Sequence, residues 1–303
     1  MVLYTGAGPA LLGSVPEEAG FEVEPWLLDV GVVQQDSLHE APERTAERAA
    51  ALATQTQVEK LAEKLASEPD LAGVIVDVAP VGLEAARRIG VPALAMGNFD
   101  WAWIYRHYPA LQDLAARFAE WQAPHPAIAL EPGPGMFGFV TVRPGGLLGR
   151  RAPPRRLVGP EERGILVCFG GFGLMDLDAR LPRLPGVRYV LAPPLTPLVR
   201  EDVIWAENEV FPSLVAGADL VYTKPGYGIV VEAALAGTPI VFEERRHFPE
   251  APSLVAFLEA RGDGAVGEDR GLSFSRRLRE PRPAPMGHSD THMLITEIEA
   301  LLG

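Results

Sequence analysis

Asp219-Leu-Val-Tyr-Thr-Lys-Pro-Gly-Tyr-Gly-Ile-Val-Val-Glu-Ala-Ala-Leu-Ala-Gly-Thr-Pro239 spells out a strand, a glycine turn and a helix in twenty-one residues. Residues 219–222 read as a buried strand running into Thr223-Lys224-Pro225-Gly226-Tyr227-Gly228. From Gly228 a helix carries Val231, Ala234 and Leu235 on its apolar side. Gly237-Thr238-Pro239 then turns the chain into a second strand, Ile240–Phe242. A glycine turn lets the backbone approach a ligand closely. The helix N-terminus behind it offers free N–H groups and a positive dipole end, so a phosphate is stabilised there.

Working outward, Ile165–Phe169 is a further strand, and it feeds Gly170-Gly171-Phe172-Gly173. That loop is neither a GxGxxG fingerprint nor a P-loop, and a tight turn without a ligand accounts for it equally well. Two such loops in one domain favour a ligand, because open α/β sheets bind beyond the carboxyl ends of their strands. Another strand lies at 187–191. Upstream, residues 147–163 place Pro153-Pro154 between two arginine pairs, which reads as a linker.

The first half shows the same alternation. Residues 21–28 read as a strand and 41–67 as one long helix. Val74-Ile75-Val76 is a buried strand ending at Asp77. A helix opens at Pro80 and stops at Gly90, and a second strand, PALAM, follows Pro92. A helix at 109–121 and a Pro/Gly-rich stretch at 131–136 come next. The expected fold is α/β, with two doubly wound parallel sheets. Residues 1–150 form the first domain, 151–163 the linker, 164–286 the second domain, and 287–303 a closing segment with a short amphipathic helix at 291–302.

Composition narrows the function. The 303 residues hold 48% hydrophobic and 22% charged side chains, ordinary for a globular chain. No apolar run reaches the roughly 18 residues of a transmembrane segment, and no secretion signal opens the sequence. A lone cysteine, Cys168, fits a reducing cytoplasm and reads as a buried small hydrophobe. The net charge of −13 argues against a nucleic-acid partner. It leaves room for a nucleotide held by a few amides. Oligomeric state is not legible.

Several residues could carry chemistry. Lys224, one of only three lysines, could counter phosphate charge, although an isolated lysine is more often a solvated side chain. Glu232 could accept hydrogen bonds from a ribose diol or simply compensate the helix dipole. Asp77 and the run Asn98-Phe99-Asp100-Trp101-Ala102-Trp103 follow strands and should face the interdomain cleft. Polar groups beside indoles suit a sugar; core packing and helix capping are the plain alternatives. His288-Ser289-Asp290-Thr291-His292 has a metal-like spacing but reads better as a helix cap, so no metal is expected. No GxSxG nucleophile motif is present.

The segment 219–239, with Arg245, Phe248 and Glu250 beyond it, resembles the glycosyltransferase-like domain at the N-terminus of plant arabinose kinases. So do the stretches Val76–Gly82, Asn98–Tyr105 and Leu27–Gln34. The chain is more distantly similar to the lipid-linked N-acetylglucosamine transferase of cell-wall synthesis. The resemblance implies a glycosyltransferase-B (GT-B) fold, with Rossmann-like domains facing a cleft and the last helix crossing back to the first domain. It implies no cofactor, a nucleotide-diphosphate sugar as donor in the second domain, and an unidentified acceptor in the first. Gly170–Gly173 and Gly226–Gly228 would then hold the diphosphate, Glu232 the ribose, and Lys224, Pro225, Tyr227 and Glu250 would belong to the donor site. Asn98, Trp101 and Trp103 would lie on the acceptor side. One departure is plain: the family opens with a strand and a Gly-His-Gly loop whose histidine is a candidate base. Val2–Ala7 aligns with the family's second strand, so either the start of the sequence is placed too late or the protein does without that unit, and with it a central strand of the first sheet. The base of a metal-independent transfer would then be Asp77 or Asp100. A non-catalytic nucleotide or nucleotide-sugar binder, and a sugar-nucleotide epimerase, fit the same resemblance.

Overall fold

A computed structural model describes residues 2–5, 22–170, 174, 176–245, 247–288 and 291–302. Strands β1 (Val2–Thr5) and β2 (Glu22–Pro25) pair in parallel as a two-stranded sheet of their own. The reading of 21–28 as one strand is too long: past Pro25 the chain turns irregular.

The expected helix over 41–67 is two helices, α1 (Pro42–Leu52) and α2 (Gln55–Ala66). The cause lies in Thr54, which is extended and whose hydroxyl accepts from Gln57 N at 3.2 Å. It caps a new helix instead of continuing the old one. Helix α2 buries Val58, Leu61, Ala62 and Leu65 at helical spacing.

The first large sheet begins with β3 (Val74–Val76), α3 (Pro80–Arg88) and β4 (Ala93–Gly97). Proline at the first helical position opens α3, and Gly90 at φ 71° ends it. The short α4 (Trp101–Tyr105) and α5 (Gln112–Gln122) precede β5 (Pro126–Glu131) and β6 (Thr141–Leu147). All pairings in the order β3-β4-β5-β6 are parallel.

Residues 148–162 lack regular structure and are anchored to the second half of the chain. Arg155 and Arg156 pair with Glu209 and Asp219 at 3.1 and 3.0 Å. The second sheet takes in β7 (Arg163–Cys168), β8 (Val187–Leu191), β9 (Val203–Trp205), β10 (Leu220–Thr223), β11 (Ile240–Phe242) and β12 (Gly264–Ala265). Its order is β12-β11-β10-β7-β8-β9, parallel throughout. Around it lie α6 (Leu177–Arg180), α7 (Phe211–Gly217), α8 (Tyr227–Ala236), α9 (Ala251–Ala260) and α10 (Arg270–Arg279). The last helix, α11 (Thr291–Leu302), packs Leu294, Ile298, Leu301 and Leu302 against Leu94, Ile128 and Leu130 of the first sheet. Among the described residues no helix is long and apolar enough to cross a membrane.

Candidate functional site

The carboxyl ends of the two sheets meet. From β7, Phe169 O accepts from Ser37 Oγ at 2.7 Å. From β10, Lys224 Nζ donates to Gln34 Oε1 at 3.0 Å. From β4, Asn98 Nδ2 donates to Glu250 Oε1 at 2.6 Å, and Arg245 pairs with Glu40 at 3.0 Å, both side chains about nine-tenths buried or more. These contacts bring Lys224, Arg245, Glu250 and Asn98 into one interdomain cluster. Gln34 and Glu40, to which the sequence assigns no role, complete it.

Burial sets the protonation of this cluster. Lys224 is pulled down to about 8, first by desolvation and then by the charge of Arg245. Glu250 is raised by burial, against the pull of Asn98, Arg245 and Lys224. Above Lys224 the second glycine loop is open: a Cβ at Gly226 or Gly228 would meet nothing within 4 Å. Helix α8 starts at Tyr227, one residue before the expected start, and Gly226 caps it with no side-chain hydrogen bond. The first turn of α8 therefore has no side-chain cap from Gly226, and Lys224 lies just before it in the chain. Pro225 is buried beneath. Gly170 of the first loop is left-handed at φ 68°, and a Cβ there would touch only Lys224 Cε, at 3.9 Å. Gly171, Phe172 and Gly173 lie outside the described residues.

Asp77 stands across the cleft, past the end of β3. Burial raises its pKa, and the charge of Asp29 adds to the effect, although its side chain keeps open surface. It makes no hydrogen bond among the described residues. The next residue, Val78, is left-handed at φ 48°, a costly conformation for a β-branched side chain. Tyr227 is pushed up to about 12 by burial, with the charges of Asp77 and Glu250 contributing, so both carboxyls lie within electrostatic reach of the start of α8.

Three expected positions are occupied otherwise. Asp100 is fully buried and accepts from Trp103 N at 2.7 Å and Gly138 N at 2.9 Å, which caps α4 and ties down the loop after β5. That leaves it no route to a substrate, so a base role for Asp100 is corrected to a structural one. Glu232 is the sixth residue of α8, beyond the first turn, and its Oε1 accepts from Arg150 Nε at 2.7 Å. A ribose would have to share or displace that arginine. Trp103 sets its ring against His107 and Phe137, at centroid distances of 4.6 and 5.7 Å.

Trp101, by contrast, helps line a half-open cavity of about 470 Å³, with Val33, Gln34 and Phe248 among its other walls. Its indole N–H donates to Asp29 at 3.3 Å, the carboxylate whose charge helps raise Asp77. Cys168 has its thiol pushed up to about 12 by burial, which keeps it protonated. Among the described residues no group of three or more metal-ligating side chains gathers.

No family model matches the chain. The L-arabinokinase of Arabidopsis thaliana is 29% identical over 283 residues, 85% of this chain. The match spans 26% of that protein, about a quarter of its length. Solved structures superpose over nearly all of the chain. The UGT89C1 protein of Arabidopsis thaliana complexed with UDP gives a TM-score of 0.64 at 12% identity, covering 100% of this chain and 92% of that one. The glycotransferase of kitacinnamycin gives 0.59 at 17% identity, with 100% and 91% covered. The spinosyn rhamnosyltransferase SpnG gives 0.59 at 16% identity, with 98% and 99% covered. With its two parallel-sheet α/β halves meeting at their carboxyl ends, the chain has the glycosyltransferase-B fold and resembles the plant arabinokinase in sequence.

Proposed function

We propose that the chain binds a nucleotide-diphosphate sugar on its second half and transfers the sugar to an acceptor seated on its first. The observation that carries this reading is the open, uncapped start of α8 beside Lys224, directly across from an exposed carboxylate whose pKa is raised. One side offers amides and a cation for a leaving diphosphate; the other offers a base.

In this reading Asp77 takes the acceptor hydroxyl proton as the new C–O bond forms at the anomeric carbon. The old bond breaks toward the diphosphate, which gathers charge against the α8 amides, the Gly170 loop and Lys224. A raised carboxyl pKa makes Asp77 a stronger base than an exposed aspartate. The strained backbone at Val78 is the kind of cost a fold retains where a neighbouring group must be aimed. Glu250 and Asn98 would hold sugar hydroxyls, and Glu232 the ribose once Arg150 yields. Nothing in this scheme calls on a cofactor, and the unpaired Cys168 suits a cytoplasmic setting.

Calorimetric titration with UDP, GDP, dTDP and ADP tests the donor half. Saturable binding of one nucleotide, weakened in Glu232→Ala and Lys224→Met, is expected. Absence of binding by all four would refute it. A second reading, a nucleotide binder without catalysis, draws on Asp77, which no hydrogen bond among the described residues orients as a base. It predicts nucleotide binding with no transfer from any donor, and no effect of Asp77→Asn on any activity.

A further inference from the structure

The cavity beside Trp101 has a feature the transfer chemistry does not use. Arg44 and Arg48, one turn apart on α1, both line it and both are exposed. Neither has a hydrogen bond or an ion pair among the described residues. Elsewhere on this acidic surface, arginines find carboxylates readily: Arg87 pairs with Glu84, Arg163 with Asp219, and Arg188 with Glu162. Other arginines, Arg279 among them, also lack a carboxylate, but Arg44 and Arg48 stand one turn apart on the wall of a single cavity. Their placement is also unfavourable for the helix. Arg44 is the third residue of α1, where the positive end of the dipole repels it, and Arg48 repels Arg44 across one turn. Trp101 and Phe248, both largely buried, line the same cavity, and the Arg245 guanidinium covers one face of the Phe248 ring at 3.7 Å. Gln34, bound to Lys224, closes the side toward the donor loops.

We infer that this cavity seats an acceptor bearing an anionic group, phosphate or carboxylate. Arg44 and Arg48 grip that group, and its apolar or aromatic body lies on Trp101 and Phe248. Guanidinium forks match both kinds of oxyanion, and an aromatic wall accepts the apolar face of a ring. Naming the occupant an acceptor rests on the transferase reading; the anion site itself does not.

The test is titration of the full chain with phenyl phosphate, benzoate and, as the uncharged control, phenol, followed by tryptophan fluorescence and calorimetry. At least one anion should bind saturably and more weakly as salt rises, while phenol binds poorly. Arg44→Ala/Arg48→Ala should weaken the anion about tenfold or more. Arg279→Ala, an exposed arginine of α10, should leave it unchanged, with circular dichroism confirming the fold of each variant. Tighter phenyl phosphate binding would assign a phosphorylated acceptor, and tighter benzoate binding a carboxylated one. Undiminished anion binding by the double variant, especially if UDP displaces it, would place the anion at Lys224 and overturn the proposal. Equal binding of phenol would overturn it as well. Loss of anion binding in the double variant, in a chain that ignores every nucleotide, would uphold this site while sinking the transferase reading.

Discussion

Lys224 is the residue whose ionisation reports on the site. Its pKa in the empty protein is about 8, and a bound diphosphate would raise it. Above pH 8 binding must then take up a proton, so affinity should fall by up to about tenfold per pH unit. Below pH 8 this linkage disappears. Titrations at pH 7, 8, 9 and 10 check the slope, and Lys224→Met should flatten it. The two aspartates should separate just as clearly. Asp100→Ala removes a cap and strands the Gly138 amide, so urea unfolding should show a loss of about 1–3 kcal/mol. Asp77→Asn should leave stability within about 0.5 kcal/mol while abolishing turnover. The sequence alone could not divide these roles. Both aspartates follow a strand, and the amide that claims Asp100 comes from a loop 38 residues away. Gln34 and Glu40 were silent for the same reason: their partners, Lys224 and Arg245, lie in the other half of the chain.

Elements were legible where local preference and burial agree. Residues 74–97 show a short β-branched strand, a proline-opened helix with a glycine stop, and a second apolar strand, and the structure has all three. Strand β6 was not legible. Its sequence, TVRPGGL, holds a proline and two glycines, and it is a strand because β5 pairs with it. Gly145 is needed there, since a Cβ would fall 2.6 Å from Ile128 Cγ2. The break between α1 and α2 was missed because the apolar pattern runs through it. A single hydroxyl makes the difference, and Thr54→Ala should cost about 1 kcal/mol in equilibrium unfolding. Thr54→Ser should recover most of that.

At the scale of the molecule, the two halves are joined by packing and by charge. Helix α11 lays its apolar side on the first sheet, and the Arg245–Glu40 pair is buried between the halves. Removing one member of such a pair strands the other, so Glu40→Ala should destabilise the chain by about 3–5 kcal/mol. Pairing Glu40→Met with Arg245→Met should restore most of the loss, and denaturant titration of the three variants decides it.

The groups proposed to hold ligand, Lys224, Asn98, Glu250 and Glu232, are each already held by another part of the chain. Occupying this site is therefore an exchange of partners rather than an addition. A nucleotide sugar competes with the protein's own glutamine, asparagine and arginine, and the measured affinity is the intrinsic one scaled by the fraction of molecules in which those partners have let go. Variants that weaken the internal partners, Gln34→Ala or Arg150→Ala, would then act as if substrate had become more concentrated.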